Sequence, residues 1–321
     1  MKKTTKIALL IAALCCVAGL ALAGLSLYMV DFDFTRLGTV AYTDNEYTLT
    51  EPFSAIELKA KTANVRFLPS EDSACRVVCK EQEKIPHRVT VENGTLTIRA
   101  DDRREWYDYL VCFDWGSAAV TVYLPAAEFG RLDISTDTGD VRVPADFTFQ
   151  SASIETDTGD IDWRASVEGT LTVHTDTGNG KIEGVQAGAL QAETDTGDLQ
   201  VRQASVSGNV LLETDTGKVM LDKVTVGSLQ IDTHTGDVTL KNTVAEGSLT
   251  LETDTGDVQF HRFDAAAITV RTNTGDVTGT LLSEKIFFAE TDTGDIHVPK
   301  TDRGGRCEIT TDTGDIEISL N

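Results

Sequence analysis

Aspartates recur through this chain at a fixed spacing, and carboxylates placed so regularly could hold a cation. Ten copies of Thr-Asp-Thr-Gly-Asp, or of a close variant, run from Thr136 to Asp315, with successive copies 19 or 20 residues apart. If each copy turns the chain at the same place, equivalent aspartates lie one strand spacing apart, in ladders. Oxygen ligands in such an arrangement suit calcium.

The phrase contains two aspartate positions, so stacking predicts two ladders. The first, interrupted by His234 and Asn273, consists of Asp137, Asp157, Asp176, Asp195, Asp215, Asp254, Asp292 and Asp312. The second, interrupted by Asn179 and Lys218, consists of Asp140, Asp160, Asp198, Asp237, Asp257, Asp276, Asp295 and Asp315. Carboxylates about 5 Å apart repel by about 1 kcal/mol in water and by several times that near a protein surface, so something must offset the repulsion.

Two interpretations of the ladders stay open. In the first, which we favour, each carboxylate accepts backbone hydrogen bonds in its own turn and the protein has no cofactor. The phrase differs from the Gly-Gly-x-Gly-x-Asp repeat of calcium-binding rolls, which supports this interpretation. In the second, calcium is held between coils by Asp137, Asp157, Asp176, Asp195, Asp215 and Asp254.

Aromatic side chains gather with arginines between Asp101 and Gly116, the least repetitive stretch of the chain. Exposed aromatics beside arginines are typical of glycan sites and of hot spots in protein interfaces. The same residues could instead form a lid over the open end of the fold, where unpaired strand edges need shielding. The candidate partner-binding residues are Trp106, Tyr107, Tyr109 and Trp115.

Catalytic chemistry has little support in the sequence, and we predict that the protein is not an enzyme. Its five histidines are scattered, without a metal-binding pair or a nucleophile motif near them. β-Helix enzymes that cleave acidic polysaccharides are the remaining enzyme alternative, and such a site needs a break in the repeat. Only Asn179 to Lys181 and Val277 to Phe288 come close to such a break.

The repeat around Gly256 indicates which secondary-structure elements position these side chains. Apolar and polar residues alternate from Leu249 to Phe260, which is the pattern of strands with one buried face. This parity places Thr253 and Thr255 inward or in the turn, and the glycine supplies a positive φ angle. One repeat is too small to be stable alone. Stacked repeats predict an all-β, single-stranded β-solenoid (β-helix) of about ten 19–20-residue coils.

A β-rich cap precedes the repeats. Residues 56–67 overlay on residues 132–143 with the inward positions kept, which makes them a degenerate opening coil. Further strands are predicted over 74–80 and 120–124, with a hairpin at Asn93-Gly94. The predicted organisation is a cytoplasmic tail (1–6), a transmembrane anchor (7–30), a linker (31–52), the cap with its opening coil (53–130) and the solenoid repeats (131–321).

The N-terminal segment predicts a single membrane crossing. Ile7 to Val30 is uncharged and, at 1.5 Å per residue, reaches about 36 Å, enough for the hydrocarbon layer. Ala21-Leu22-Ala23 could be a cleavage site, but the apolar run continues beyond it, so we favour an uncleaved anchor. Lysines before the segment and aspartates after it predict a cell-membrane protein with an extracytoplasmic C-terminal domain.

The net charge limits the kinds of partner that the protein can bind, and the positions of the cysteines predict whether they are buried thiols. The net charge is −23 at pH 7, and phosphate backbones require basic surfaces, so we expect no nucleic-acid partner. The acidity should also discourage end-to-end association at the last strand, residues 316–320, which has no evident cap. Cys75, Cys79 and Cys307 have inward parity and are expected to be buried thiols, although Cys112 could pair with either of the first two.

The chain resembles a family of membrane-anchored bacterial envelope proteins known as putative adhesins, built from β-strand repeats in a domain of unknown function. The resemblance rests on the N-terminal helix, on Phe53 to Leu58 with Ala63 to Phe67, on a strand ending in Leu124-Pro125, and on the repeated Thr-x-x-Gly-Asp phrases. It implies a non-catalytic binding module, an adhesin or envelope interaction protein, with an unknown protein or glycan ligand. A scaffold or sensor that works with other membrane proteins is the alternative.

Overall fold

One α-helix and 26 β-strands make up the computed structural model, which describes residues 3–29, 42–71, 74–106 and 117–321. Helix α1 spans Lys3–Met29. Its Ile11–Met29 portion is long and apolar enough to cross a membrane, a test that a signal sequence near an N-terminus also passes. The helix therefore fits a membrane span and a signal sequence equally well.

Seven of these strands form the cap. They are β1 (Tyr42–Leu49), β2 (Ala55–Ala60), β3 (Ala63–Pro69), β4 (Cys75–Gln82), β5 (His87–Glu92), β6 (Thr95–Ala100) and β7 (Ala118–Leu124). The predicted hairpin is the antiparallel pair β5–β6, whose connection at Asn93 and Gly94 has φ angles of 52° and 75°. Positive φ at both central residues is the mark of a type I′ turn, which Asn-Gly favours.

The remaining strands wind into the solenoid, with one long and one short strand in each regular coil. The long-strand sheet contains β8 (Glu128–Thr138), β10 (Thr148–Thr158), β12 (Ser166–Thr177), β14 (Gln186–Thr196), β16 (Ser205–Thr216), β18 (Thr225–Thr235), β20 (Val244–Thr255), β23 (Lys285–Thr293) and β25 (Gly305–Thr313). The short-strand sheet contains β9 (Val141–Val143), β11 (Ile161–Trp163), β13 (Gly180–Glu183), β15 (Leu199–Arg202), β17 (Val219–Asp222), β19 (Val238–Lys241), β22 (Val277–Leu281), β24 (Ile296–His297) and β26 (Ile316–Leu320). Strand β21 (Val258–Thr274) passes from the short-strand sheet into the long-strand sheet.

Parallel pairing keeps equivalent residues of the phrase directly over one another. Thr156 lies opposite Thr175, and Thr175 lies opposite Thr194 in the next coil. In the repeat around Gly256, the inward residues Leu251 and Phe260 are fully buried. The inward side chains of the coils and the cap form one continuous hydrophobic core. The predicted β-solenoid of about ten coils, with its β-rich cap, is confirmed.

The opening coil stacks on the first regular coil as the sequence overlay predicts. Strand β2 pairs with β8, with Ile56 opposite Leu132, and β3 pairs with β9, with Val65 opposite Val141. Beyond the opening coil, β7 pairs with β4 and β4 pairs with β1, and both of these pairings are antiparallel. The cap therefore ends the parallel stacking on the N-terminal side.

The last coil in the sequence is not the last coil in the stack. Strand β25 lies between β21 and β23, and β26 lies between β22 and β24. The coil of β23 and β24, which we call the end coil, therefore closes the solenoid. The expectation that residues 316–320 form the uncapped edge is wrong for Ile316 and Glu317, which pair with β24 on the outer side.

The end coil is less buried than the coils beneath it. Phe288 is 50% exposed and Ile296 is 42% exposed. The guanidinium of Arg306, in the neighbouring β25, lies 4.5 Å from the centre of the Phe288 ring. Lys285 is an exception, since it is buried with its Nζ 2.6 Å from Asp264 Oδ1. Polar and cation–π contacts thus supplement a thin apolar contact at this end.

Candidate binding surface on the acidic face

The glycine of each phrase lets the backbones of successive coils approach closely. Gly197 has a φ of +153°, and a Cβ atom built there would lie 1.9 Å from the carbonyl oxygen of Gly178 in the preceding coil. Gly256 shows the same arrangement, with a φ of +156° and a 2.1 Å approach to Gly236. The backbone angle and the space both exclude a side chain, so the glycine fixes the turn that carries the aspartates.

The two threonines of the phrase have different environments. The first is buried in nearly every coil, and the hydroxyl of Thr194 donates to the carbonyl oxygen of Gly178 at 3.0 Å. The hydroxyl of Thr175 donates likewise to Gly159 at 3.1 Å. The second threonine, such as Thr196, is exposed at the turn. The predicted inward parity therefore holds up to the first threonine, after which the turn directs side chains to solvent.

The second aspartate ladder takes part in the hydrogen bonding between coils. Asp198 Oδ1 accepts the backbone N–H of Lys218 in the next coil at 2.8 Å, and Asp257 does the same for Asp276 at 3.0 Å. Asn179, which interrupts the ladder, accepts the N–H of Asp198 at 2.9 Å. These side chains thus cap the turn of the next coil in the stack, which corrects the expectation that each caps its own.

A pair of substitutions at Asp198 tests this capping role. Asp198→Ala removes the acceptor for the Lys218 amide and should lower the free energy of unfolding by about 1 kcal/mol. Asp198→Asn keeps an amide oxygen in the same place, as Asn179 does naturally, and should cost less than about 0.5 kcal/mol. Urea unfolding of both variants measures the difference. Equal losses in the two variants would show that charge, and not the acceptor, matters at this position.

The first aspartate ladder points into solvent. Its members Asp157, Asp176, Asp195, Asp215 and Asp254 are all exposed. The residues that interrupt it relieve its repulsion: His234 Nδ1 lies 3.2 Å from Asp215 Oδ1, and Asn273 Nδ2 donates to Asp254 Oδ1 at 3.1 Å. Unlike the second ladder, these carboxylates are directed away from the backbone turns and are available to a partner.

In four successive coils a second column of carboxylates runs beside the first ladder, two residues before it in the chain. We call the surface that the two columns share the acidic face. Its residues are Glu193, Asp195, Glu213, Asp215, Asp232, His234, Glu252 and Asp254. Basic side chains contact the two ends of this second column: His174 Nδ1 lies 3.5 Å from Glu193, and Arg271 Nη1 lies 3.1 Å from Glu252. A groove of about 210 Å³ crosses the face between His234 and Arg271.

Glu213 lies in the middle of this column, between the carboxylates of Glu193 and Asp232. Partial burial is the largest cause that raises the pKa of its carboxyl above the ordinary value, and the charges of Glu193 and Asp232 raise it further. A carboxyl whose pKa is raised by folding binds its proton more tightly in the folded state. Its contribution to stability is therefore fully present below the unfolded pKa and is lost as the pH rises through the folded pKa.

Glu213→Gln should accordingly stabilise the protein at neutral pH. We expect a gain of about 0.5 kcal/mol at pH 7, typical of removing one like-charge neighbour on a strand, and a gain near zero at pH 4. Thermal melts of wild type and variant at both pH values measure the difference. Glu168→Gln, an exposed carboxylate outside the acidic face, is the matched control. A gain of the same size at both pH values would contradict the explanation by charge.

Calcium binding by the first ladder stays a proposal. The described residues contain one group of three or more His, Cys, Asp or Glu side chains whose ligand atoms all lie within 4.8 Å of one another, and that group is in the cap. It consists of Cys79, Glu81 and His87, which sequence reasoning missed because they lie outside the repeat. The signal that could have found them is the inward parity of Cys79 and Glu81 on one strand. The six proposed calcium ligands lie along a line, so an ion there would need oxygens from two coils and from water.

The proposed aromatic patch lies only partly within the described residues. Trp106 is described and is 73% exposed, whereas Tyr107, Tyr109 and Trp115 lie outside them. Just before this patch, hydrogen bonds from Arg104 lower the pKa of Asp102 to about 2. Partner binding by these aromatics therefore stays a prediction.

The two stretches that could have marked a break in the repeat differ in the structure. Strand β13, which follows Asn179, pairs in register with β11 and β15 on its two sides, so the first stretch is regular. Strand β22 pairs in register with β26, but its pairing with β21 contains a register shift between His261 and Phe263. After β22 the chain passes to the end coil, where β23 pairs with β25 and not with β21. Of the two stretches, only the second therefore contains an irregularity of the kind that the enzyme alternative needs.

The sequence profile of the Toastrack DUF4097 family matches residues 53–285 and, in a second match, residues 200–321. These matches together span β2 to β26, so the chain belongs to the Toastrack DUF4097 family. Its resemblance to domain-of-unknown-function proteins known as putative adhesins is confirmed. No curated protein matches the chain.

Three solved structures that are similar to this chain come from Bacteroides fragilis and Parabacteroides distasonis. A putative adhesin from Bacteroides fragilis is 12% identical, covers 87% of this chain and 97% of its own, and has a TM-score of 0.44. A putative lipid binding protein from Parabacteroides distasonis is 13% identical, with coverages of 75% and 95% and a TM-score of 0.47. A putative adhesin from the same species is 12% identical, with coverages of 88% and 98% and a TM-score of 0.44. Similarity at this level does not indicate what the present chain binds.

Proposed function

We propose that this chain is a single-pass membrane protein whose β-solenoid lies outside the cytoplasm and acts as a non-catalytic binding module, either an adhesin or an envelope interaction protein. The acidic face carries the proposal. It presents exposed carboxylates at a regular spacing on a hydrogen-bonded scaffold, with a histidine at one end and an arginine at the other. Such a surface attracts and orients a partner that presents basic groups.

The arrangement of the carboxylates favours binding over catalysis. Those of the second ladder accept backbone N–H groups, and those of the acidic face lie along the solenoid axis on an outward surface. General acid–base chemistry instead requires groups that converge on one reacting atom in a site that excludes water. A linear array suits an extended partner, whose charges can meet several coils at once.

The membrane topology can be tested with a thiol reagent that does not cross membranes. Asp215→Cys, made in a chain with Cys112→Ser, places a thiol on the acidic face, while Cys75, Cys79 and Cys307 are buried and should react slowly. Labelling of intact cells at this position is the expected result. Thr4→Cys, at the other end of α1, is the matched control and should react only after the cells are permeabilised. The reverse pattern would overturn the proposed orientation.

Calcium as a ligand of the first ladder predicts a specific thermal response. The melting temperature of the full chain should rise saturably as calcium is added and fall back when a chelator removes it. Asp215→Asn should weaken the response, because it removes one charged oxygen from the ladder. A rise equal to that given by magnesium or by added sodium chloride would show that the added cations only screen the charges of these aspartates and that no specific calcium site exists.

A further inference from the structure

Exposed apolar side chains are concentrated at the end coil, which lies at the opposite end of the stack from the cap. Outside α1, the structure describes five exposed large hydrophobic side chains, and four of them belong to the end coil or directly precede it. These four are Leu282, Ile286, Phe288 and Ile296, which are between 38% and 50% exposed, and the fifth is Trp106. A cluster of exposed apolar side chains on an otherwise polar surface is typical of an interaction site.

Two of these side chains point outward, where the packing of the solenoid does not require apolar residues. Phe288 ends an outward column whose other members are polar, in order Glu308, Thr269, Thr250 and Gln230. Ile286 lies opposite Arg306, which is also polar. The guanidinium of Arg306 covers the Phe288 ring, yet half of the Phe288 side chain stays exposed. The core therefore does not account for either side chain.

The end coil also presents two free strand edges. Among the described residues, β23 pairs with β25 and β24 pairs with β26, in each case on one side only. Phe287 and Ala289 point inward from β23 and are only half-buried, because no described coil covers them. Charged side chains protect free edges from added strands. Glu290 and Asp292 do this for the second half of β23, whereas residues 286–289 carry no charge.

A second copy of the end coil covers this surface more completely than a single added strand does. A two-fold axis that crosses both sheets places β23 antiparallel to β23 of the second copy, and β24 antiparallel to its β24. Both sheets then continue across the contact, which closes as a dimer and leaves no edge free. A lone extended peptide would cover one of the two edges and leave the other exposed.

The order of residues along β23 favours this antiparallel arrangement. When Phe287 lies opposite Phe287 of the second copy, Ile286 lies opposite Phe288, so the central pairs are apolar and share the same faces of the sheet. Glu290 then lies opposite Glu284, whose charge is offset by an arginine 3.6 Å away. A parallel arrangement would set Glu290 directly beside Glu290, and like charges in that position destabilise a sheet.

We propose that the end coils of two copies pack together across this two-fold axis, so that the protein binds a second copy of itself. The proposal rests on the proposed function, in which the cap is the part of the solenoid that follows the membrane anchor. In that orientation the end coil is the part of the solenoid farthest from the anchor along the stack. The contact would therefore join copies that are anchored in facing membranes.

The contact is small, which suits chains held together on a surface. Strand β23 is nine residues long, or about 30 Å, and packed sheets lie about 10 Å apart, so two end coils bury about 600 Å² in total. Stable interfaces bury about 1,200–2,000 Å². A single pair of end coils therefore binds weakly, while many anchored copies that engage together bind much more tightly.

Clustering of vesicles tests the proposal with the full chain, held in phosphatidylcholine vesicles by α1. Light scattering should show that vesicles carrying the wild-type chain cluster. Phe288→Asp should reduce clustering at least about 10-fold, because it places carboxylates against apolar side chains and close to each other. Gln230→Asp is the matched control, since it adds the same charge to an exposed position of the same outward column, away from the end coil. It should cluster as the wild type does.

Mixed vesicles and added salt identify what the end coil binds. Wild-type vesicles should not join vesicles that lack protein or that carry Phe288→Asp, because both surfaces must supply an end coil. Clustering should persist at high salt, since the contact is apolar and salt screens the repulsion between acidic solenoids. The salt test needs no variant, so it applies even if Phe288→Asp unfolds the end coil.

Four results would overturn the proposal. They are the absence of clustering, clustering that survives Phe288→Asp, clustering that high salt abolishes, and binding of wild-type vesicles to vesicles that lack protein, which would indicate a lipid-binding surface. Each of these results is independent of whether the acidic face captures a basic partner. Failure of the self-contact is therefore distinguishable from failure of the proposed function.

Discussion

Replacing Gly197 with alanine is expected to lower the free energy of unfolding by at least about 3 kcal/mol, one of the largest effects that a single methyl group could have in this protein. The new Cβ would lie 1.9 Å from the Gly178 carbonyl oxygen, and the backbone already has a φ of +153°, which alanine rarely adopts. Relief would require the two coils to move apart, which weakens the parallel hydrogen bonds on both sides. The urea midpoint of unfolding measures the loss.

Gly184→Ala is the matched control for this prediction. Gly184 also has a positive φ, of +73°, but a Cβ atom built there meets nothing within 4 Å. Alanine at this position should therefore lower the free energy of unfolding only by the strain of the left-handed conformation, about 1 kcal/mol. Similar losses at Gly184 and Gly197 would show that backbone angle alone explains the glycine of the phrase, and would contradict the close approach of coils.

Removing the last coil should disrupt more of the protein than the residues removed. A chain that ends at residue 304 lacks β25 and β26, which separate the end coil from the rest of the solenoid. We expect Ile286–Thr293 to lose its protection against hydrogen exchange, because β25 is the strand with which β23 pairs. Ile309, Ile316 and two further buried side chains would also be lost from the core, each worth about 1.5–3 kcal/mol.

An internal deletion that removes the end coil but keeps the last coil should, in contrast to the truncation, leave the remaining solenoid folded. Removing residues 282–302 deletes the end coil and leaves Arg303-Gly304 as a two-residue connection between β22 and β25, as long as the one between β17 and β18. The pairs β21–β25 and β22–β26 stay intact, so the shortened chain should unfold near the wild-type midpoint. If the truncation at 304 left the end coil protected, or if the internal deletion unfolded the last coil, the observed coil order would be contradicted.

The sequence predicts the coil but not the order in which the coils stack. A period of 19–20 residues and the parity of residues such as Leu251 determine which side chains face the core, and the overlay of Ile56 on Leu132 locates the opening coil. Both β23 and β25 carry the phrase, so the period does not indicate which of them pairs with β21. The choice depends on packing between segments distant in sequence, which periodicity does not report.

The candidate site, too, could be predicted from the sequence only in part. The aspartate ladders and the acidic face follow from the period, because a solenoid converts a repeated residue into a column. The capping of Lys218 by Asp198 could not be predicted, since it depends on the reach between coils that the glycine geometry sets. The group formed by Cys79 and His87 was also hidden, because folding alone brings β4 and β5 together.

Photo-cross-linking from the acidic face in intact cells tests the central claim most directly. A photoreactive residue at Asp215 should capture a specific partner with basic groups, and capture should fall at high salt because the attraction is electrostatic. Thr239, half-exposed on the short-strand sheet, is the control position and should capture little. Surface glycans or foreign proteins among the products would indicate an adhesin, and neighbouring membrane proteins would indicate a scaffold. Equal capture from both positions, or capture that salt does not weaken, would contradict a binding function for the acidic face.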